Sequence, residues 1–165
     1  MRELLIQTGK VLFIAVAATY MIRRFVLYVT LVSSNSMIPT LAPNKRVLTY
    51  RIHGFNKIHR GDIIVFHSQE IGKTLIKRVI GLPGDSIKMH KSGDVIVNGK
   101  KLDEPYVKYP GGPAGNYQVP LDEYFVLGDN RAQSNDSRHW KNKTILRKYI
   151  LGITKQGSAK FNKVK

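Results

Sequence analysis

Twelve consecutive residues, Val11-Leu12-Phe13-Ile14-Ala15-Val16-Ala17-Ala18-Thr19-Tyr20-Met21-Ile22, carry no charge. A run this apolar has to leave water, so it constrains everything that follows. Alone it falls short of the roughly 20 residues that cross a bilayer. Leu4-Leu5-Ile6 lengthens it, and Lys10 is the one charged interruption. A lysine near a helix end can carry its ammonium out to the headgroups. Arg23 and Arg24 close the run, and Tyr20 suits an interface. The favoured reading is a transmembrane helix over about residues 4–22, within an anchor of residues 1–24. A removable signal peptide and a buried helix of a soluble protein are the alternatives. The first lacks a convincing small-x-small cleavage site, and the next strand follows at once. Basic residues flank both ends, so the positive-inside rule alone does not put the remainder outside the cell.

From Phe25 onward the pattern is that of short strands. Phe25 to Val32 is rich in β-branched and aromatic residues. Val47 to Arg51, Asp62 to Phe66, Thr74 to Ile80 and Tyr124 to Leu127 are apolar runs bounded by Gly, Pro, Asn or Asp. Asp94 to Leu102 reads as a hairpin, because Asn98-Gly99 accepts the positive φ of a tight two-residue turn. Tyr109 to Asn116 is a loop by composition. A helical period after residue 33 is sustained only over Lys143 to Tyr149, and no internal repeat is present. The expected fold is mostly β, one domain over residues 25–165 behind one N-terminal helix.

The absence of cysteine excludes disulfides, thiol catalysis and cysteine-ligated metals. The formal charge of +16 favours anionic partners: headgroups, wall polymers or nucleic acid. No acid follows Asp136, and the basic C-terminal tail reads as a solvated, partly disordered end.

Three blocks carry candidate chemistry. Ser34-Asn35-Ser36-Met37-Ile38-Pro39-Thr40-Leu41 offers a serine on a turn set by proline. An ordinary polar turn has the same composition. Leu75-Ile76-Lys77-Arg78-Val79-Ile80-Gly81-Leu82-Pro83-Gly84-Asp85 places two cations inside an apolar strand. Alternation puts them on opposite faces, both apolar, so one of them must sit in a partly dry site or at a sheet edge. Arginine does not deprotonate in proteins. A desolvated lysine can, and a serine hydroxyl needs such a base to become nucleophilic. Lys77 is therefore the candidate base, and Arg78 needs a counter-charge. The third block is Gly128-Asp129-Asn130-Arg131-Ala132-Gln133-Ser134-Asn135-Asp136-Ser137-Arg138, a loop at a strand end. Asp129 is available to Arg78, and Asp136 to Arg138; a solvated polar loop is the plainer reading. The five histidines (His53, His59, His67, His90, His139) show no metal-ligand spacing and sit in no motif, although sequence order alone leaves a Ser-His-Asp triad open.

In this order and behind an apolar start, the three blocks resemble bacterial type I signal peptidases (peptidase S26), in the compact single-anchor form of Gram-positive bacteria. The resemblance runs from about residue 4 to residue 140. It implies a coiled antiparallel β-sheet catalytic domain, signal peptidase/LexA-like, outside the cytoplasmic membrane. By position it implies Ser36 as nucleophile and Lys77 as general base, the Ser36 N–H and the Ser34 hydroxyl as oxyanion hole, and Ser134 as the residue orienting Lys77. Arg78 with Asp129 and Asp136 with Arg138 would brace the site, and Met37 would lie along the surface meeting substrate or membrane. The implied reaction is cleavage of exported preproteins after an Ala-x-Ala-like site, without cofactor or metal. The implied partners are signal peptides, the cytoplasmic membrane with its anionic lipids, and the secretion translocon, not nucleic acid. A specialised or non-catalytic factor assisting pilus or surface-protein assembly is the alternative within the same scaffold. A self-cleaving repressor relative would need a DNA-binding domain where this chain has its apolar run. After Arg138 the family continues with an aromatic, a glycine and acids; this chain has His139-Trp140-Lys141-Asn142-Lys143.

Overall fold

The computed structural model describes residues 1–54 and 57–157. Helix α1 spans Arg2–Phe25 and none of its residues is buried. At 1.5 Å per residue it is about 36 Å long, more than the hydrocarbon thickness of about 30 Å. It is long and apolar enough to cross a membrane. Its last carbonyls are not left to solvent alone. Arg51 Nε donates to Arg23 O at 3.2 Å, and His53 Nε2 bonds Phe25 O at 2.8 Å. Helix thus extends through Phe25, and the first strand begins two residues later than its sequence pattern indicates.

The rest folds into two antiparallel sheets. Strands β1 (Leu27–Leu31), β2 (Arg46–Arg51), β3 (Ile63–Ser68), β4 (Lys73–Gly81), β9 (Glu123–Leu127), β10 (Ile145–Leu146) and β11 (Ile150–Thr154) form a seven-stranded sheet. Its order is β1-β2-β11-β3-β4-β9-β10. Strands β5 (Ser86–Met89), β6 (Val95–Val97), β7 (Lys100–Lys101) and β8 (Gly115–Gln118) form a second sheet in the order β7-β6-β5-β8. The expected hairpin is β6–β7, and Asn98 and Gly99 take φ of 51° and 79° at its turn.

The Gly81-Leu82-Pro83-Gly84-Asp85 segment is the passage between the sheets. A Cβ on Gly81 would come within 3 Å of Ile87, Val119 and Phe125, so only glycine lets β4 pass this close to the second sheet. The Asp85 carboxylate accepts bonds from Leu82 N, from Arg60 Nη1 at 2.9 Å and from Asn98 Nδ2 at 2.8 Å. One carboxylate therefore ties the turn, the first sheet's loop and the hairpin together.

Three apolar clusters fill the interior. One holds Phe66, Val79, Val126 and Trp140; a second holds Ile80, Ile87, Phe125 and Leu127 beneath the small sheet; a third holds Val32, Met37, Leu41, Val47 and Ile76. The third corrects an expectation. Met37 is fully buried and faces neither substrate nor membrane, because its side chain anchors the serine turn in the core. The C-terminal region departs further. Over Lys143 to Tyr149 there is a two-residue strand and a single 3₁₀ turn in place of a sustained helix. Beyond it, β11 is a central strand between β2 and β3, not a solvated tail. The final basic residues, from 158 on, lie outside the described residues.

Candidate active site

Ser36 sits in a single 3₁₀ turn, Asn35–Met37, directly after β1. The turn is pinned on both sides. Met37 is sunk into the third cluster, and Asn130 N donates to Ser36 O at 3.0 Å. Asn130 Nδ2 adds a bond to Asn35 O at 3.2 Å. The Ser36 hydroxyl, with the residue 7% exposed, meets Lys77 Nζ at 2.5 Å and Ser34 Oγ at 3.1 Å. Among the described residues no histidine reaches it.

Lys77 lies at mid-strand in β4, opposite Ile64 of β3, and is 3% exposed. Burial lowers its pKa from 10.5 to about 8, despite the opposing pull of Asp136 and Asp129; Arg138 adds to the lowering. The next residue, Arg78, is also buried. It meets Asp129 through two bonds, Nε–Oδ1 at 2.8 Å and Nη2–Oδ2 at 2.6 Å, and both side chains are fully inaccessible. Thr40 Oγ1 donates to the same carboxylate at 2.5 Å. Both adjacent cations are thus inside. One is matched by a carboxylate and keeps its charge; the other is not, and is left able to lose its proton.

Asp136 receives Arg138 Nε at 2.8 Å and Nη2 at 2.9 Å, and also Gly128 N at 3.0 Å. Burial acts to raise its pKa, but the Arg138 bonds and charge outweigh that and hold it below the usual carboxylate range. Arg138 spends its remaining donors on Gly111 O and Arg131 O, both at 2.8 Å. The pair therefore fastens the loop after β9 to itself and to the loop after Tyr109.

Ser134 departs from its expected part. It is buried beside Gly128, but no bond to Lys77 forms, and among the described residues its Oγ has no partner of hydrogen-bonding geometry. Its hydroxyl still helps hold the Asp136 pKa down, from outside that geometry.

Four residues matter here that the motifs did not single out for a role. Asn130 fixes the serine turn. Arg131 bonds Glu104 through Nη1–Oε2 at 2.9 Å and Nη2–Oε1 at 2.5 Å, and donates Nε to Gly128 O at 3.1 Å. Tyr106 donates to Glu104 at 2.6 Å, and its ring lies 3.8 Å from the Arg78 guanidinium. Asn130 and Arg131 stood within a quoted block and were legible as polar loop residues. Glu104 and Tyr106 carried no sequence signal.

A groove of about 300 Å³ runs past the dyad, with Tyr28, Thr30 and Ser34 on one wall and Thr74, Ile76 and Lys77 on the other. Both walls present free strand edges. Among the described residues β1 pairs only with β2, and β9 covers β4 only from Arg78 onward. Among the described residues no group of three or more His, Asp or Glu could hold a metal ion.

A buried serine hydroxyl against a partly discharged lysine can perform acyl transfer without histidine or metal, which defines the class as a serine hydrolase site. The profile of the family described as signal peptidase, peptidase S26, matches residues 5–156. The chain belongs to that family. It is 43% identical over 129 residues to a signal peptidase I of Leptolyngbya laminosa, a match covering 72% of this chain but 63% of the relative's length. Signal peptidase I S of Bacillus subtilis is 34% identical, over 99% of this chain and 94% of its own length. The crystal structure of a signal peptidase I from Enterococcus faecalis superposes with a TM-score of 0.53 at 30% identity, covering 59% of this chain and 97% of its own.

Proposed function

We propose that the protein is a membrane-anchored serine endopeptidase that removes signal peptides from exported preproteins, with Ser36 as nucleophile and Lys77 as general base. The observation carrying this reading is the 2.5 Å contact between Ser36 Oγ and the buried Lys77 Nζ. Neutral Lys77 takes the Ser36 proton as Oγ attacks the scissile carbonyl, and the amine then passes that proton to the leaving nitrogen. Water, activated by the same amine, releases the acyl group from Ser36. The Ser36 N–H and the Ser34 hydroxyl, 3.1 Å from Ser36 Oγ, are the donors for the oxyanion.

Substrate enters the groove as an extended strand between the free edges of β1 and β4. Val65 and Ile76 line it beside Lys77, leaving room for small side chains before the cut. Arg78–Asp129 and Asp136–Arg138 keep the site's loops in place, and Ser134 packs under Gly128 behind the dyad. Helix α1 holds the protein in the cytoplasmic membrane with residues 25–165 on its outer side, where precursors leave the translocon.

The test is incubation of the detergent-solubilised protein, and of its Ser36→Ala and Lys77→Ala variants, with a lipidated peptide carrying one Ala-x-Ala site. Mass spectrometry locates any cut. Cleavage after the second alanine by the parent alone is the expected result. Cleavage that survives either substitution removes the dyad.

A further inference from the structure

The C-terminal half of α1 and the end of β2 border an open, shallow cleft of about 610 Å³. Ala15, Val16 and Thr19 line its lower part, and Tyr20 lies above them. Arg23 and Arg24 on the helix and Arg51 on β2 close its upper end. Positions 15, 19 and 23, and 16, 20 and 24, each advance by four, so the helix contributes one continuous face. From Ala15 to Arg23 this face rises about 12 Å. It passes from small apolar side chains, through an interfacial tyrosine, to guanidinium groups.

The arginines are the unusual feature. Like charges on an exposed surface tend to be spread apart, since each approach costs Coulomb energy. Here two elements bring three together, and among the described residues none of the three makes an ion pair with a carboxylate. Arg51 is also fixed in direction. Its Nε is held by Arg23 O at 3.2 Å, and its guanidinium lies 4.5 Å from the Tyr28 ring centre. Among the described residues its terminal nitrogens have no protein acceptor. The negative helix C-terminus favours Arg23 and Arg24 at this position but supplies only about half a unit charge.

We infer that this cleft binds one anionic phospholipid, its phosphate on Arg23, Arg24 and Arg51 and the start of an acyl chain along Ala15, Val16 and Thr19. The inference rests on α1 being the membrane anchor. Its volume lies in the range of ordinary ligand sites. The order apolar, aromatic, cationic along the helix is the order of chain, interface and phosphate in a leaflet. A lipid so placed would cross-link α1 to β2, whose neighbour β1 leads to the serine turn. It would thereby set the angle at which the groove meets the membrane.

The test uses the full chain in neutral detergent, with native mass spectrometry in the presence of phosphatidylglycerol or phosphatidylcholine. One phosphatidylglycerol retained per chain, about tenfold over phosphatidylcholine, is expected, equivalent to about 1.4 kcal/mol. Arg51→Gln with Arg23→Gln and Arg24→Gln should abolish that preference. Thr19→Trp, which keeps all three charges and fills the lower cleft, should also reduce retention. Soluble glycerol phosphate at the same concentration should fail to compete. Equal retention of both lipids, or a preference surviving the triple substitution, would overturn the site. Competition by glycerol phosphate as effective as the lipid's own would overturn the acyl-chain contact. Partition of the parent into neutral phosphatidylcholine vesicles separates the two readings. If it does not partition, the anchor reading fails. If it partitions but shows no anionic preference, only the lipid site fails.

Discussion

Burial lowers the Lys77 pKa from 10.5 to about 8, with consequences for both chemistry and stability. Under the proposed mechanism only the neutral amine is active. The logarithm of kcat/KM should therefore rise with a slope of about one per pH unit below pH 8 and level off above it. A flat profile over that range would remove Lys77 as base. Stability also rises with pH, but over a higher window. Below about pH 8 the lysine is charged in both folded and unfolded chains, and the fold bears the full desolvation penalty. Between about pH 8 and 10.5 the unfolded chain holds a proton that the folded one has released, so stability rises with pH across that window. Lys77→Met should accordingly be inactive yet more stable, by up to about 3 kcal/mol below pH 8, with the gain gone by pH 10.5. Urea unfolding of both proteins at three pH values measures this directly. Arg78 is the counter-case. Removing its partner with Asp129→Ala leaves a buried, unpaired guanidinium and should cost about 3–5 kcal/mol, whereas Arg78→Met with Asp129→Leu should recover most of the loss. A single substitution as costly as the pair is cheap would appear in thermal unfolding as a non-additive cycle.

At the scale of the element, the site lies where the turn after β1, the middle of β4 and the loop after β9 meet. At Gly128 the loop after β9 comes close to the serine turn. A Cβ there would stand 2.2 Å from Ser134 Oγ and 2.5 Å from Ser36 O. Gly128→Ala should displace the serine turn and lower turnover about 10–100-fold. Adding Ser134→Gly relieves only the side-chain clash, so part of the loss should remain; full recovery would mean that the Ser36 backbone had not moved. The site was legible because each of its blocks is short and contiguous, and because two cations in an apolar strand admit few explanations. The structure brings Lys77 to Ser36, Asp129 to Arg78 and Asp136 to Arg138. It does not bring Ser134 into a bond with Lys77, since a loop's register against a strand cannot be read from composition. Strands β1 to β4, β6, β7 and β9 were visible as apolar runs or a turn signal. β5, Ser-Ile-Lys-Met, does alternate and buries Ile87 and Met89, but four residues are a short signal, and β8, Gly-Asn-Tyr-Gln, carries no apolar alternation at all. Their pairing in the second sheet is set by Asp85 and the close approach at Gly81, both tertiary features.

Across the whole molecule, chain order and spatial order diverge most at the C-terminus. The charge pattern of the last thirty or so residues is that of a solvated basic end, and it obscured Ile150-Leu151-Gly152-Ile153-Thr154, a β-branched run that forms β11. This strand joins the β1–β2 pair, which leads from α1 to Ser36, to the β3–β4 pair, which carries Lys77. The two halves of the dyad thus depend on a strand that supplies no catalytic group. Its centre is tight: a Cβ on Gly152 would lie 2.5 Å from Tyr50 O. Terminating the chain after Gly157 should leave cooperative unfolding intact, because every described strand is retained. Terminating it after Tyr149 leaves β2 and β3 each with an unpaired edge and exposes the faces that Ile150 and Ile153 cover. That shorter chain should lose its cooperative transition and its Ser36-dependent cleavage together, by circular dichroism melting and peptide assay. Retention of the melt with loss of cleavage would mean that β11 aligns the two halves without being needed to fold them. Retention of both would mean that the β2 and β3 edges pair without it.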